Sequence, residues 1–198
     1  MSLSPSLEAL ITGRVDALPV GLREHVHRVV AIAQDLAGRH QLDKEKVRWG
    51  ALAHDVARAT KGDELLRQAR DLGISVHPVE EQVPLLLHGP VAAEMLKRSG
   101  LEDQTIYDSI YWHSTAHSHL VPEAKVVFLA DKLDPQKLQR YPYLGELGWI
   151  AVESLDRAVL TFLHRELTTL IGQGALVHPA SVDARNQLLM EDGRTIGV

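Results

Sequence analysis

The stretch WGALAHDVAR, residues 49–58, sets His54 and Asp55 side by side within a run of small, core-facing residues. Four other places pair a polar group with an apolar helical face, judged by the three-, four- and seven-residue offsets that bring side chains onto one side of a helix. His25 leads at those offsets to Val29, Ile32 and Leu36, whereas His27 leads to Ala31 and Gln34 and is expected to face water. His88 follows an apolar run just before Gly89-Pro90, His113 shares its stripe with Ile106 and Ile110, and Asp131 closes AKVVFLADKLDP on the face of Val127 and Ala130. Each group has a benign reading, a hydrogen-bonded core imidazole or, for Asp131, a solvated ion pair with Lys125 or Lys132. Five such coincidences in one chain point instead to a shared cause. Inward imidazoles and carboxylates with no thiol suit a divalent metal centre built from nitrogen and oxygen ligands.

The composition agrees with that chemistry and excludes others. The 198 residues include eleven histidines and no cysteine, so disulfides, thiolate ligands and cysteine nucleophiles are ruled out. The net charge of -5 gives no general basic field for nucleic acid, so an anionic substrate has to be met by local cations or a metal. No secretory leader or membrane span is visible, which makes the cytoplasm the expected location, with no membrane partner. The length suits a single domain over 1–198.

The elements that must position these groups all read as helices, with no run of alternating β-branched residues, so the expected fold class is all-α. Helices are expected at about 5–17, 22–39, 43–58, 62–72, 79–86, 90–99, 102–115, 122–134, 147–172 and 180–191. Gly62, Gly73, Gly100 and Gly174 fall at ends, Asp43 and Ser181 fit N-caps and Pro90 fits a first helical position. Residues 136–148 read as an irregular connection to a long amphipathic helix carrying Ile150, Val152, Leu155, Val159, Leu163 and Leu167. That helix could cover the core or build a homodimer seam, and intramolecular cover is the preferred reading. The tail from 175 is polar and expected to be partly loose.

The series His25, His54-Asp55, His88, His113 and Asp131 resembles the HD superfamily of metal-dependent phosphohydrolases. The stretches REHVHRVVAIAQDLA, LAHDVARATKGDELL, HGPVAAEML, IYWHST and VVFLADKLDP are similar to its YqeK-type branch, which hydrolyses diadenosine tetraphosphate symmetrically to two ADP; they span about 20–137. The resemblance implies a helical bundle with the metal centre between helices, and a C-terminal helical extension at about 147–198. It implies that His25, His54, Asp55 and Asp131 hold a first metal and that His88 and His113 hold a second, with Asp55 bridging. Arg58 then falls where phosphate is contacted, and Asp134 where an acidic residue commonly follows the last ligand. The STAHSHL run after His113 departs from the branch's threonine-glycine pattern; His117 and His119 read as exposed loop residues rather than ligands.

The chemistry that follows is phosphoanhydride hydrolysis, in which a hydroxide bridging two divalent metals attacks phosphorus and the cations clamp the phosphate. Iron or manganese is the expected pair, with zinc or cobalt also suited to the ligands. Asp55 and Arg58 are the expected catalytic residues. Arg58, Lys61 and Asp134 are the expected substrate-binding residues, Lys61 being open to a second reading as an exposed loop lysine. The rivals are an HD enzyme acting on a nucleoside monophosphate, a dNTP or a cyclic nucleotide, and a non-catalytic metal-nucleotide sensor.

Overall fold

The fold is described from a computed structural model, for residues 3–138 and 143–191. Its helices are α1 (Pro5–Asp16), α2 (Val20–Arg39), α3 (Lys44–Ala53), α4 (Gly62–Asp71), α5 (Pro78–Gln82), α6 (His88–Arg98), α7 (Gln104–Tyr111), α8 (Pro122–Lys132), α9 (Pro135–Leu138), α10 (Leu144–Glu153), α11 (Leu155–Gly172) and α12 (Pro179–Glu191). A 3-10 turn, Pro84–Leu87, joins α5 to α6. Among the described residues there is no strand, as the sequence predicts, and no helix is long and apolar enough to cross a membrane.

α3 is the element around which the rest is arranged. Its Val47 and Ala51 belong to an apolar cluster with α2, α8, α10 and α11, and its Trp49, Leu52 and Ala53 to a second cluster with α1, α4, α6 and α7. The small residues that the sequence places here permit this double contact. A Cβ on Gly50 would stand 2.8 Å from the Ser109 Cβ of α7 and 3.3 Å from Val127 Cγ2 of α8, so both helices press directly on the α3 backbone. Fully buried Ile106 and Ile110 fix α7 against it, each contributing about 1.5–3 kcal/mol through apolar burial.

Several helices end earlier than their periodicity predicts. The helix expected at 43–58 stops at Ala53, because the His54 ring donates from Nδ1 to the Ala51 carbonyl at 2.6 Å, which the next helical N–H would otherwise reach. Residues 54–60 then turn through shorter bonds, Val56 N to Ala53 O, Arg58 N to Asp55 O and Thr60 N to Ala57 O. Asp55 and Arg58, expected inside the helix at 43–58, therefore lie on this turn beyond its end. The helix expected at 102–115 ends at Tyr111, and the one expected at 122–134 ends at Lys132. Pro84, which lacks an N–H, separates α5 from the 3-10 turn within the span expected at 79–86.

The long helix expected at 147–172 is two helices. Ser154 is extended (φ -156, ψ 117) and its Oγ accepts from Arg157 N–H, so it caps α11 and ends α10. Of the six apolar residues expected on the long helix's inner face, Leu155, Val159, Leu163 and Leu167 are buried against the chain's own core, Ile150 is half-buried and Val152 is exposed. Within 136–148, expected to be irregular, Pro135–Leu138 forms one helical turn and α10 begins at Leu144; residues 139–142 lie outside the described residues. The tail expected to be loose carries α12, pinned by buried Ala184 and Leu188; residues 192–198 lie outside the described residues. Asp43 caps α3 as expected, whereas Ser181 lies inside α12 and donates to the Thr115 carbonyl.

Candidate metal centre

Four imidazoles and two carboxylates converge where α2, α8 and the ends of α3, α6 and α7 meet. His54 is fully buried, and Asp55, His88, His113 and Asp131 are each at most 8% exposed. Each ring is fixed through Nδ1. His54 donates to the Ala51 carbonyl, His88 to Leu85 at 2.5 Å, and His113 to Ile110 at 2.8 Å, in each case three residues back. His25 donates instead to Asp134 Oδ2 at 2.5 Å.

The four Nε2 atoms point inward at acceptors. His25 Nε2 lies 3.1 Å from Asp131 Oδ1 and 3.7 Å from Asp55 Oδ2, and His54 Nε2 lies 3.4 Å from Asp55 Oδ2 and 4.0 Å from Asp131 Oδ1. On the other side, Asp55 Oδ1 faces His88 Nε2 at 3.0 Å and His113 Nε2 at 3.6 Å. The Asp55 carboxyl thus stands between two groups of imidazoles, one oxygen turned to each.

This donor set suits cations. Neutral imidazoles committed at Nδ1 present only a lone pair at Nε2. His54 Nε2, wholly buried, has no hydrogen-bond partner, and the His88 and His113 Nε2 atoms meet at 2.8 Å. Positive charge between these atoms satisfies lone pairs that otherwise oppose one another and the carboxylates. Two sets of ligand atoms lie close enough to share an ion, His25 with His54 and Asp131, and His54 with Asp55 and His113.

The electrostatics push the buried rings in opposite directions. Burial pushes His113 down to about 4, with His88 and His54 adding to the effect against Asp55, which leaves it in the neutral, ligating form. Burial also opposes charge on His54, but the Asp55 and Asp131 carboxylates outweigh it and raise its pKa. Burial would raise Asp55 and Asp131, yet His54 and Lys132 respectively lead the surrounding groups that hold both well below the ordinary carboxylate range.

The groups open onto a cleft of about 980 Å³ lined also by Arg58, Ser114, Lys132 and Lys137. Arg58 is half-buried in its wall, while Lys61 is exposed ahead of α4 and lies outside that lining. Asp134 is buried, its oxygens taken by His25, by Arg28 Nε at 2.8 Å and by Arg28 Nη2 at 3.0 Å. Burial would raise its carboxyl, but Arg28 and His25 hold it down to about 2. His27 is exposed. His117 stacks on Trp112 at 4.5 Å and His119 is exposed, both outside the cluster.

The periodicity reveals neither Arg28 nor Lys137 at this site, and it offers Lys132 only as an ion-pair partner of Asp131. Arg28 supports Asp134, Lys132 Nζ donates to Asp131 Oδ2 at 2.7 Å, and Lys137 Nζ donates to Asp131 Oδ1 at 2.6 Å. Of the two lysines weighed as partners of Asp131, half-buried Lys132 makes the pair, and Lys125 pairs with Asp156. The C-terminal part, which carries no recognisable motif, supplies Phe162, Leu163, Glu166 and Ser181 to the cleft.

The HD domain family model matches residues 22–136, more than half of the chain and every residue of the cluster, and the protein belongs to that family. It is 27% identical over 169 residues to a symmetrical bis(5'-nucleosyl)-tetraphosphatase of Halalkalibacterium halodurans, covering 85% of this chain and 89% of that protein. A protein of the same name from Bacillus subtilis is 25% identical, over 83% of this chain and 88% of its own. The crystal structure of a predicted HD superfamily hydrolase involved in NAD metabolism from Clostridium acetobutylicum superposes with a TM-score of 0.87 at 25% identity, covering 96% of this chain and all of that one.

Proposed function

We propose that the protein hydrolyses diadenosine tetraphosphate symmetrically to two ADP, using two divalent cations, iron or manganese. The observation that carries this reading is the Asp55 carboxyl with one oxygen facing His25 and His54 and the other facing His88 and His113. His25, His54, Asp55 and Asp131 would hold one cation, and Asp55, His88 and His113 the other. When bound, such a pair supplies Lewis-acid charge and acidifies water enough for it to act as a nucleophile near neutral pH. The relatives named as symmetrical tetraphosphatases support the substrate.

The chain's own residues do the positioning. The three carbonyl bonds and Asp134 fix the imidazole tautomers, so that each Nε2 is presented unprotonated. Asp134 acts in this reading through His25. Arg58, in the cleft wall, meets the phosphate chain, and Lys61 lies where only a substrate reaching beyond the cleft could touch it.

Chromatography of the products tests the proposal, with metal-loaded enzyme and diadenosine tetraphosphate. ADP as the sole product is expected. AMP with ATP, or hydrolysis confined to mononucleotides or cyclic nucleotides, would overturn it.

A further inference from the structure

Lys137 touches the cluster, and nothing in the proposed reaction yet uses it. Its side chain is 38% exposed, and its Nζ donates to Asp131 Oδ1 at 2.6 Å and to the Asp131 carbonyl at 2.7 Å. The neighbouring Lys132 is placed differently: its Nζ is held between Asp131 Oδ2 at 2.7 Å and the His113 carbonyl at 2.8 Å, and its side chain is only 12% exposed. Lys132 is therefore a fixed partner of one carboxylate oxygen. Lys137 occupies the other from the rim of the cleft.

Asp131 Oδ1 is also the oxygen that faces His25 and His54. A divalent cation shared by these three residues must take Oδ1, since Oδ2 is committed to Lys132, and it would then stand against the Lys137 ammonium. Like charges at one oxygen repel. The flexible four-carbon stem of a rim lysine lets the ammonium move into the cleft it shares with Arg58, where a phosphate chain would gain a charge-assisted donor.

We propose that Lys137 is the counter-cation of Asp131 in the metal-free protein, that it yields Oδ1 when a divalent cation binds, and that it then contacts the phosphate chain of the substrate. The last step rests on the proposed hydrolase reading; the first two do not.

The test uses Lys137→Met and Lys137→Gln, with melting temperature and circular dichroism reporting that both fold. Manganese is titrated calorimetrically into the metal-free full-length chain with no substrate present. Removal of the competing ammonium is expected to tighten one manganese site about tenfold; unchanged or weaker affinity in both variants overturns the counter-cation role. With manganese saturating, binding of ADP and KM for diadenosine tetraphosphate are expected to weaken about tenfold, with kcat changed far less and Lys137→Arg restoring both. Unchanged ADP binding overturns the phosphate contact. If the wild-type protein binds manganese and ADP but leaves diadenosine tetraphosphate intact, the substrate assignment fails while the two binding measurements still judge Lys137.

Discussion

His88 Nε2 and His113 Nε2 stand 2.8 Å apart, each ring already donating a hydrogen bond from Nδ1 to a carbonyl three residues back. Two acceptor nitrogens at that separation require positive charge between or beside them. His113→Ala is expected to lower bound metal from two ions per chain to about one and to reduce turnover at least about 100-fold. Elemental analysis of protein purified without oxygen measures the first, and retention of two ions would contradict the assignment of His113.

His25 and His27 lie on one helix two residues apart, one turned to Asp134 and Asp131 and the other to solvent. His25→Ala is expected to abolish activity and His27→Ala to leave it within about twofold, as surface substitutions usually do. Steady-state rates on the two purified variants check this, and equal losses would contradict it.

Helical phase alone locates most of this cluster in the sequence, and where it fails the failure has a physical cause. The phase of His25 holds because α2 runs unbroken from Val20 to Arg39. The helix expected through Asp55 and Arg58 does not reach them, since His54 caps its own helix with its ring and turns the chain. His113 sits beyond α7 and is buried all the same, its ring held by the Ile110 carbonyl. The pairing of Asp131 with Lys137 depends on the turn through Asp134 and Pro135. Phe162 and Ser181 reach the cleft only through packing of α11 and α12, which leaves no local sequence signal.

Gly89 is required by its neighbours. A Cβ there would meet the Ile110 carbonyl oxygen at 2.8 Å, the Tyr111 carbonyl oxygen at 2.9 Å and His113 Cε1 at 3.1 Å. Two of these are backbone atoms and the third belongs to a ring already fixed at Nδ1. Gly89→Ala is expected to cost about 1–3 kcal/mol and to weaken the metal held by His88 and His113 selectively. Thermal melting and metal titration report the two effects; an unchanged melting temperature with both metals retained would contradict the close packing.

Asp134 has a defined acid dependence. Its folded pKa is about 2 against an ordinary 3.8, so its stabilising contribution is present above the higher value and is lost as pH falls toward the lower. The difference in melting temperature between wild type and Asp134→Asn is therefore expected to be full at about pH 6 and to shrink below about pH 4. A difference that stays constant through that range would contradict the ion pair with Arg28. The same variant, by releasing His25, is expected to weaken metal binding about 10–100-fold at neutral pH.

The most direct measurement is the metal content of Asp55→Ala beside wild type, both purified without oxygen and both checked for helicity. Because one carboxyl group faces both sets of imidazoles, its removal is expected to take bound metal from two ions per chain to less than one and to abolish turnover, with the helical circular dichroism intact. An Asp55→Ala protein that keeps two ions, or keeps its activity, would contradict a centre built around this residue.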